Sequence, residues 1–326
     1  MKHLWSRALF PWLLVLSVLL GSSGCATSTA QAHLSEPTIP APPPTATVTP
    51  TTRPTATPSP LPTQTLTPTP TWTPAPALTQ TPTPPPTPTY PPPPEALHVP
   101  ILMYHHVSEL PPDADRYRID LTVRPELFEA HLQYLKSQGY ETVTLSDLYE
   151  TLSTGKPLPP RPIVLTFDDG YRNAFTEVFP RLQAYGFVGV FFVLATPAHY
   201  EAPEYLTWDQ MREMAEGGMS IQAHGRDHYD LTNRSYDFLV YQILGAREAV
   251  EAHTGKPVRF FCYPSGRHDA AAEAVVASAG YWGAVTTAWG YEQRLDTRYA
   301  WPRVRIRGEW DLEAFKTLLE SMAASP

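Results

Sequence analysis

The sequence predicts an α/β fold built on a parallel sheet, and three observations carry that prediction. From about residue 97, apolar β-rich runs alternate with helix-like stretches. Several of the runs are apolar throughout, as expected of strands buried on both faces. Eight such runs occur, which suits a barrel with functional residues at the C-terminal ends of its strands.

The strand candidates in order are Pro100–Val107, Thr142–Thr144, Pro162–Phe167, Val188–Ala195, Ser220–His224, Val258–Tyr263, Gly283–Thr287 and Arg303–Ile306. Helices are expected between them. Glu126–Ser137 places Leu127, Ala130, Tyr134 and Leu135 near one face. Ser146 and Thr207 are candidate N-caps for helices that follow them. Phe175–Tyr185, Tyr236–His253, Ala270–Ala279 and Leu312–Met322 complete the set.

The N-terminal part reads differently. Lys2 and Arg7 precede an apolar run from Ala8 to Leu20, too short for the roughly 20 residues of a spanning helix. Residues 1–24 therefore read as an export signal. Cleavage before Cys25 would leave a lipid-anchored N-terminus, and Ala30-Gln31-Ala32 offers an ordinary cleavage site instead. The expected location is the outer face of the cell membrane, anchored through Cys25, or else free secretion. Residues 37–94 hold 23 of the chain's 39 prolines and one charged residue, Arg53. Such a segment buries too little to offset chain entropy, so 25–96 is expected to be a disordered Pro/Thr-rich linker. The globular domain is expected over 97–326.

That domain carries 21 Lys and Arg against 30 Asp and Glu, a net charge of −9. An acidic domain without a basic stripe argues against a nucleic-acid partner. Nothing in it points to a protein partner. Cys25 and Cys262 are the only cysteines and sit in very different settings, so the fold must stand without a disulfide.

Four segments carry chemistry. The apolar run Ile163–Phe167 ends in Asp168-Asp169-Gly170. Two adjacent carboxylates over a core repel, and a cation or shared proton would relieve them. If a metal takes Asp169, Asp168 is left as a base; the plain alternative is a turn. Next come His224 and His228, four residues apart after a short strand. Imidazole with carboxylate suits a divalent metal, zinc above all, although paired surface histidines would look the same. His105 and His106 end the first strand, where a histidine could act as general acid or simply pack. Finally, Phe260–Tyr263 runs into Pro264-Ser265-Gly266, a turn able to present backbone N–H groups to an oxyanion.

These elements resemble the polysaccharide deacetylase family, also called the NodB-homology domain or carbohydrate esterase family 4. Thr166–Gly170 resembles its first motif, His224-x-x-x-His228 its second and Phe261–Gly266 its third. The resemblance implies a distorted (β/α) barrel and metal-dependent removal of N-acetyl groups from a polysaccharide. It implies Asp168 as base, Asp169, His224 and His228 as metal ligands, and the Ser265 N–H as oxyanion donor. The early Tyr104–Val107 stretch resembles the poly-N-acetylglucosamine deacetylases, which makes His105 the acid.

There are departures. Gly225 stands where Ser or Thr is usual, and Cys262 where an Arg normally braces the base. No histidine follows His268, so the late histidine motif is missing. Arg303 is the candidate replacement for the Arg and is counted with Tyr171 and Trp289 among substrate-side residues. Trp208 and Trp301 are further candidates for stacking on sugar. The rival expectations are an envelope protein that binds carbohydrate without turning it over, and a deacetylase of O-acetyl esters or non-sugar amides.

Overall fold

The computed structural model describes residues 90–323. The signal segment 1–24, Cys25 and the linker as far as residue 89 lie outside the described residues. Eight parallel strands form the central sheet: β1 (Ile101–Tyr104), β2 (Glu141–Thr142), β3 (Pro162–Phe167), β4 (Val190–Val193), β5 (Ser220–Ala223), β6 (Phe260–Cys262), β7 (Gly283–Trp289) and β8 (Trp301–Arg305).

Seven of them close a ring. The order is β1-β3-β4-β5-β6-β7-β8, and β8 returns to β1 through Val304↔Leu102. The expected eighth barrel strand, β2, stays outside the ring. It pairs with the start of β3 (Thr142↔Ile163), while β4 pairs with its end (Phe167↔Phe191). Two residues are too short to replace β4 along that edge. A register shift between Val285 and Trp289 lets β7 bend against β8, which distorts the barrel.

The helices cover the outside: α1 (Arg116–Leu121), α2 (Pro125–Ser137), α3 (Leu145–Thr154), α4 (Phe179–Tyr185), α5 (Ala195–His199), α6 (Trp208–Glu216), α7 (Tyr236–Thr254), α8 (Ala270–Ser278) and α9 (Leu312–Ala323). The N-cap of α3 is Thr144, not Ser146. Thr144 and Asp147 form a reciprocal capping box, which places the helix start two residues earlier. Thr207 caps α6 in the same way through Gln210. The α5 helix begins at Ala195 and shortens the strand expected there. Residues 174–178 form a wide turn of π type that leads into α4. Among the described residues no helix is long and apolar enough to cross a membrane.

Strand alternation sorts the core into two shells. Leu102, Tyr104, Ile163, Leu165, Phe167, Phe191, Val193 and Phe261 pack outward beneath the helices. Ile101, Val164, Val190, Phe192, Phe260, Cys262, Val285 and Trp301 fill the barrel interior. Because side chains alternate with period two, each inward series can be continued to the barrel's C-terminal mouth. The continuations of Ile101, Val164 and Trp301 are His105, Asp168 and Arg303. On β5 the inward phase of Gln222 leads to His224.

Candidate active site at the C-terminal mouth of the barrel

The mouth thus receives its polar residues from strand periodicity, and turn geometry then aims them. Asp169, one residue past the inward Asp168, adopts φ +72°. That left-handed turn, which Asp tolerates better than most residues, sends the two carboxylates to different partners. Gly225 sits at φ +86°, where the Ser or Thr seen in the resembling family would be strained. Ser265 and Gly266 are both left-handed, and a Cβ on Gly266 would meet Thr287 Oγ1 at 2.1 Å. The turn is tied by Gly266 N–H to the Tyr263 carbonyl (2.8 Å) and Arg267 N–H to that of Pro264 (3.1 Å).

Asp169 and the two histidines converge. His224 Nε2 lies 3.1 Å and His228 Nε2 3.3 Å from Asp169 Oδ1. Oδ1 is nonetheless buried without a properly directed hydrogen bond. Both rings offer their Nε2 toward a shared space, and the three ligand atoms lie within 4.8 Å of one another. His224 Nδ1 is 2.7 Å from the Cys262 carbonyl, which accepts its proton and leaves Nε2 as a lone pair. An orphaned buried oxygen facing imidazole nitrogens is what a divalent cation satisfies. Burial pushes the Asp169 carboxyl up, but the contacts with His224 and His228 outweigh it and hold it well below the usual range. The same contact with Asp169 raises His228 despite its burial.

Asp168 has a separate partner. Arg303 Nη1 donates to its Oδ1 at 2.8 Å and Nη2 to its Oδ2 at 2.6 Å. Arg303 is wholly buried and also donates to Thr166 Oγ1 and the Thr286 carbonyl, each at 2.9 Å. Burial raises the Asp168 carboxyl, and the Arg303 charge and hydrogen bonds override it, so the group stays ionised. Arg303 is therefore no substrate-side residue. Its guanidinium faces a carboxylate inside the barrel and cannot reach a polymer. Cys262 fills the space beside it, with Sγ 3.2 Å from Arg303 Nη2.

His105 is half-buried at the end of β1, and its Nδ1 has no hydrogen-bond partner. Burial lowers its proton affinity, opposed by Asp168 and Asp169 and assisted by Arg303 and Arg305. Tyr171 does not stand free; it stacks on His106 with ring centres 3.6 Å apart. Trp289 is 67% exposed at the end of β7. Trp301 is core, with Nε1 donating to the Arg294 carbonyl at 2.8 Å, and Trp208 stacks on His253. Neither offers a face to sugar. Arg118 and Asn173, which hold His106 between them, drew no attention in the sequence. Arg118 lies in the short α1 helix and Asn173 at the start of the π turn, and no sequence pattern marks either.

A parallel barrel whose strand ends gather a braced carboxylate beside an Asp/His ligand set places the chain among the (β/α)-barrel hydrolases. Within that class, it belongs to the polysaccharide deacetylase family. The family's sequence model, described as polysaccharide deacetylase, matches residues 155–284. A Bacillus subtilis (strain 168) protein named as a polysaccharide deacetylase, YxkH, is 30% identical over 224 residues, covering 69% of this chain and 77% of that one. The poly-β-1,6-N-acetyl-D-glucosamine N-deacetylase of Escherichia coli K12 is 34% identical over 145 residues, 40% of this chain but only 21% of the relative. Among solved structures, the Streptococcus pyogenes deacetylase PplD, in complex with acetate, superposes with a TM-score of 0.64 at 28% identity. That match covers 71% of this chain and 99% of PplD.

Proposed function

We propose that the chain is a metal-dependent de-N-acetylase of an N-acetylglucosamine-containing polysaccharide of the cell envelope or its surroundings. The observation that carries this reading is the division of labour between adjacent residues: Asp169 faces two histidine nitrogens while Asp168 is held by Arg303. Asp169, His224 and His228 would hold the cation, and zinc fits a carboxylate with two imidazoles. When bound, the cation supplies Lewis-acid polarisation of the acetyl carbonyl and acidifies water.

The chain's own residues do the rest. Asp168, kept ionised and fixed in direction, accepts a proton as water attacks the amide carbon. The left-handed turn at Ser265 presents its backbone N–H to the developing oxyanion. His105 passes a proton to the departing amine, so acetate and a free glucosamine amine leave. Trp289 at the rim gives an exposed ring for a sugar face.

The rival reading, a non-catalytic carbohydrate-binding protein, drew on the missing Arg brace. The bidentate Arg303–Asp168 pair supplies that brace from another strand and weighs against it. We place the domain on an exported chain, with 1–24 as signal and 25–96 as spacer, held at the outer face of the cell membrane through a lipid on Cys25 or else secreted. The test is acetate release from a panel of N-acetylated glycans, with and without chelator and added zinc. Chelator-sensitive release restored by zinc is expected. Release only from O-acetyl esters, or none from any glycan, would overturn the reading.

A further inference from the structure

The domain is acidic overall, yet one stretch of its mouth is not. The α1 helix carries Arg118 beside the end of β1, and Arg305 and Arg307 lie at the end of β8. Asp120 pairs with both Arg305 and Arg307, so two cations share one carboxylate there. Asp115 is already engaged, capping α1 by accepting the Arg118 backbone N–H at 2.7 Å. Among the described residues no carboxylate pairs with the Arg118 guanidinium. Its contacts are His106 Nε2 at 2.9 Å and Ser108 Oγ at 3.4 Å, and its Nε is buried without a partner.

The groups around Arg118 are short of acceptors. A guanidinium only donates, so His106 Nε2 must accept from it. Asn173 Nδ2 approaches His106 Nδ1 at 3.0 Å, while its Oδ1 accepts from Val107 N–H at 3.2 Å. A neutral imidazole has one acceptor nitrogen, so two donors compete for it. Flipping the amide only moves the conflict to Val107 N–H. An external anion that draws Arg118 away removes it: His106 then carries its proton on Nε2 and accepts from Asn173 on Nδ1. The place is also suitable. His106 stacks on Tyr171, whose hydroxyl approaches Asp169, so Arg118 stands two side chains from the ligand set.

We propose that Arg118, with His106, forms an anion subsite that takes a carboxylate or phosphate carried by the N-acetylated glycan close to the acetamide being cleaved. This rests on the deacetylase reading and narrows it to acidic glycans. In a domain of net charge −9, a local cation is what permits such a substrate to dock.

The test compares three N-acetylated glycans: one bearing free carboxylates, the same glycan with its carboxyls reduced to alcohols, and one bearing phosphate esters. Acetate release is followed as kcat/KM for the wild type, Arg118→Gln and Arg118→Lys. Binding of the same glycans is measured on Asp168→Asn protein. A charge-assisted hydrogen bond predicts a preference of about tenfold or more for an anionic glycan over the reduced one, shrinking with salt. Arg118→Gln should bring that ratio near one through KM, and Arg118→Lys should retain part of it. Which anion is preferred identifies the source. Equal kcat/KM and equal binding for anionic and reduced glycans overturn the proposal, as does a preference that survives Arg118→Gln. If no glycan releases acetate, the deacetylase reading falls, and the binding comparison, repeated with Arg118→Gln, still decides the subsite.

Discussion

Arg303 grips both carboxylate oxygens of Asp168, at 2.8 and 2.6 Å, from a strand that enters the fold 135 residues later. The position on β6 that would hold a brace in related sequences is Cys262, whose sulfur touches the same guanidinium. The brace here comes from β8. Arg303→Ala is expected to lower acetate release by about a hundredfold, as misplacement of a reacting group does. Adding Cys262→Arg should recover a large part, because Cys262 opens into the same interior space. If the double variant is no better than the single one, the two positions are not interchangeable.

Asp168→Asn separates base from ligand. The change should reduce acetate release on the order of 10²–10⁴-fold. Metal content, measured by emission spectrometry, should stay at the wild-type level, because Asp169, His224 and His228 are untouched. Loss of metal in this variant would contradict the division of roles.

Metal binding should be visible as stability. Zinc at about 100 times its Kd is expected to stabilise the chelator-treated protein by roughly 2.7 kcal/mol, read as a rise in Tm. Asp169→Asn and His224→Ala should abolish the rise. Protons compete for the same ligands. His228 is raised by Asp169, so zinc affinity should weaken as pH falls through that raised value. Titration calorimetry in two buffers should show proton release on binding.

His131 makes the fold itself sensitive to acid. It is buried in α2, stacks on Phe315 at 3.9 Å and has Nδ1 3.2 Å from the Tyr104 hydroxyl. Burial pushes it down to about 3, against about 6.5 in the unfolded chain. Between those values the unfolded state binds more protons. Stability is therefore full above about pH 6.5 and falls as pH drops toward 3, by at most about 1.4 kcal/mol per pH unit from this group. His131→Gln should be less stable than wild type at pH 7, with the gap narrowing at pH 4.5 in urea denaturation. Parallel profiles would assign the acid sensitivity elsewhere.

Local pattern carried most of the architecture. The strand runs and the Asp168-Asp169 and His224/His228 groups were legible because period-two alternation and strand ends leave marks in contiguous residues. A barrel was legible, but the exclusion of β2 from its ring was not, since nothing local tells β2 that β4 occupies its edge of β3. Arg303 is legible as a candidate brace for Asp168, but its assignment to the substrate side fails, because its partner lies across the closed barrel and no spacing encodes that. No local pattern marks Arg118. Its significance lies in what it lacks, a carboxylate partner, and an absent contact has no signature in a chain read alone.

Closure of the ring by β8 against β1 also sets an order of assembly. A chain made from its N-terminus presents Asp169, His224 and His228 well before Trp301–Arg305 emerges. Until then β1, with His105, has one free edge, and Asp168 is buried beside no cation of its own. A chain clipped before Trp301 is therefore expected to lose acetate release even where Asp169, His224 and His228 are all present. On the proposed function, the orientation of the base is the last part of the site to form, since it waits for β8 to bring Arg303 to Asp168.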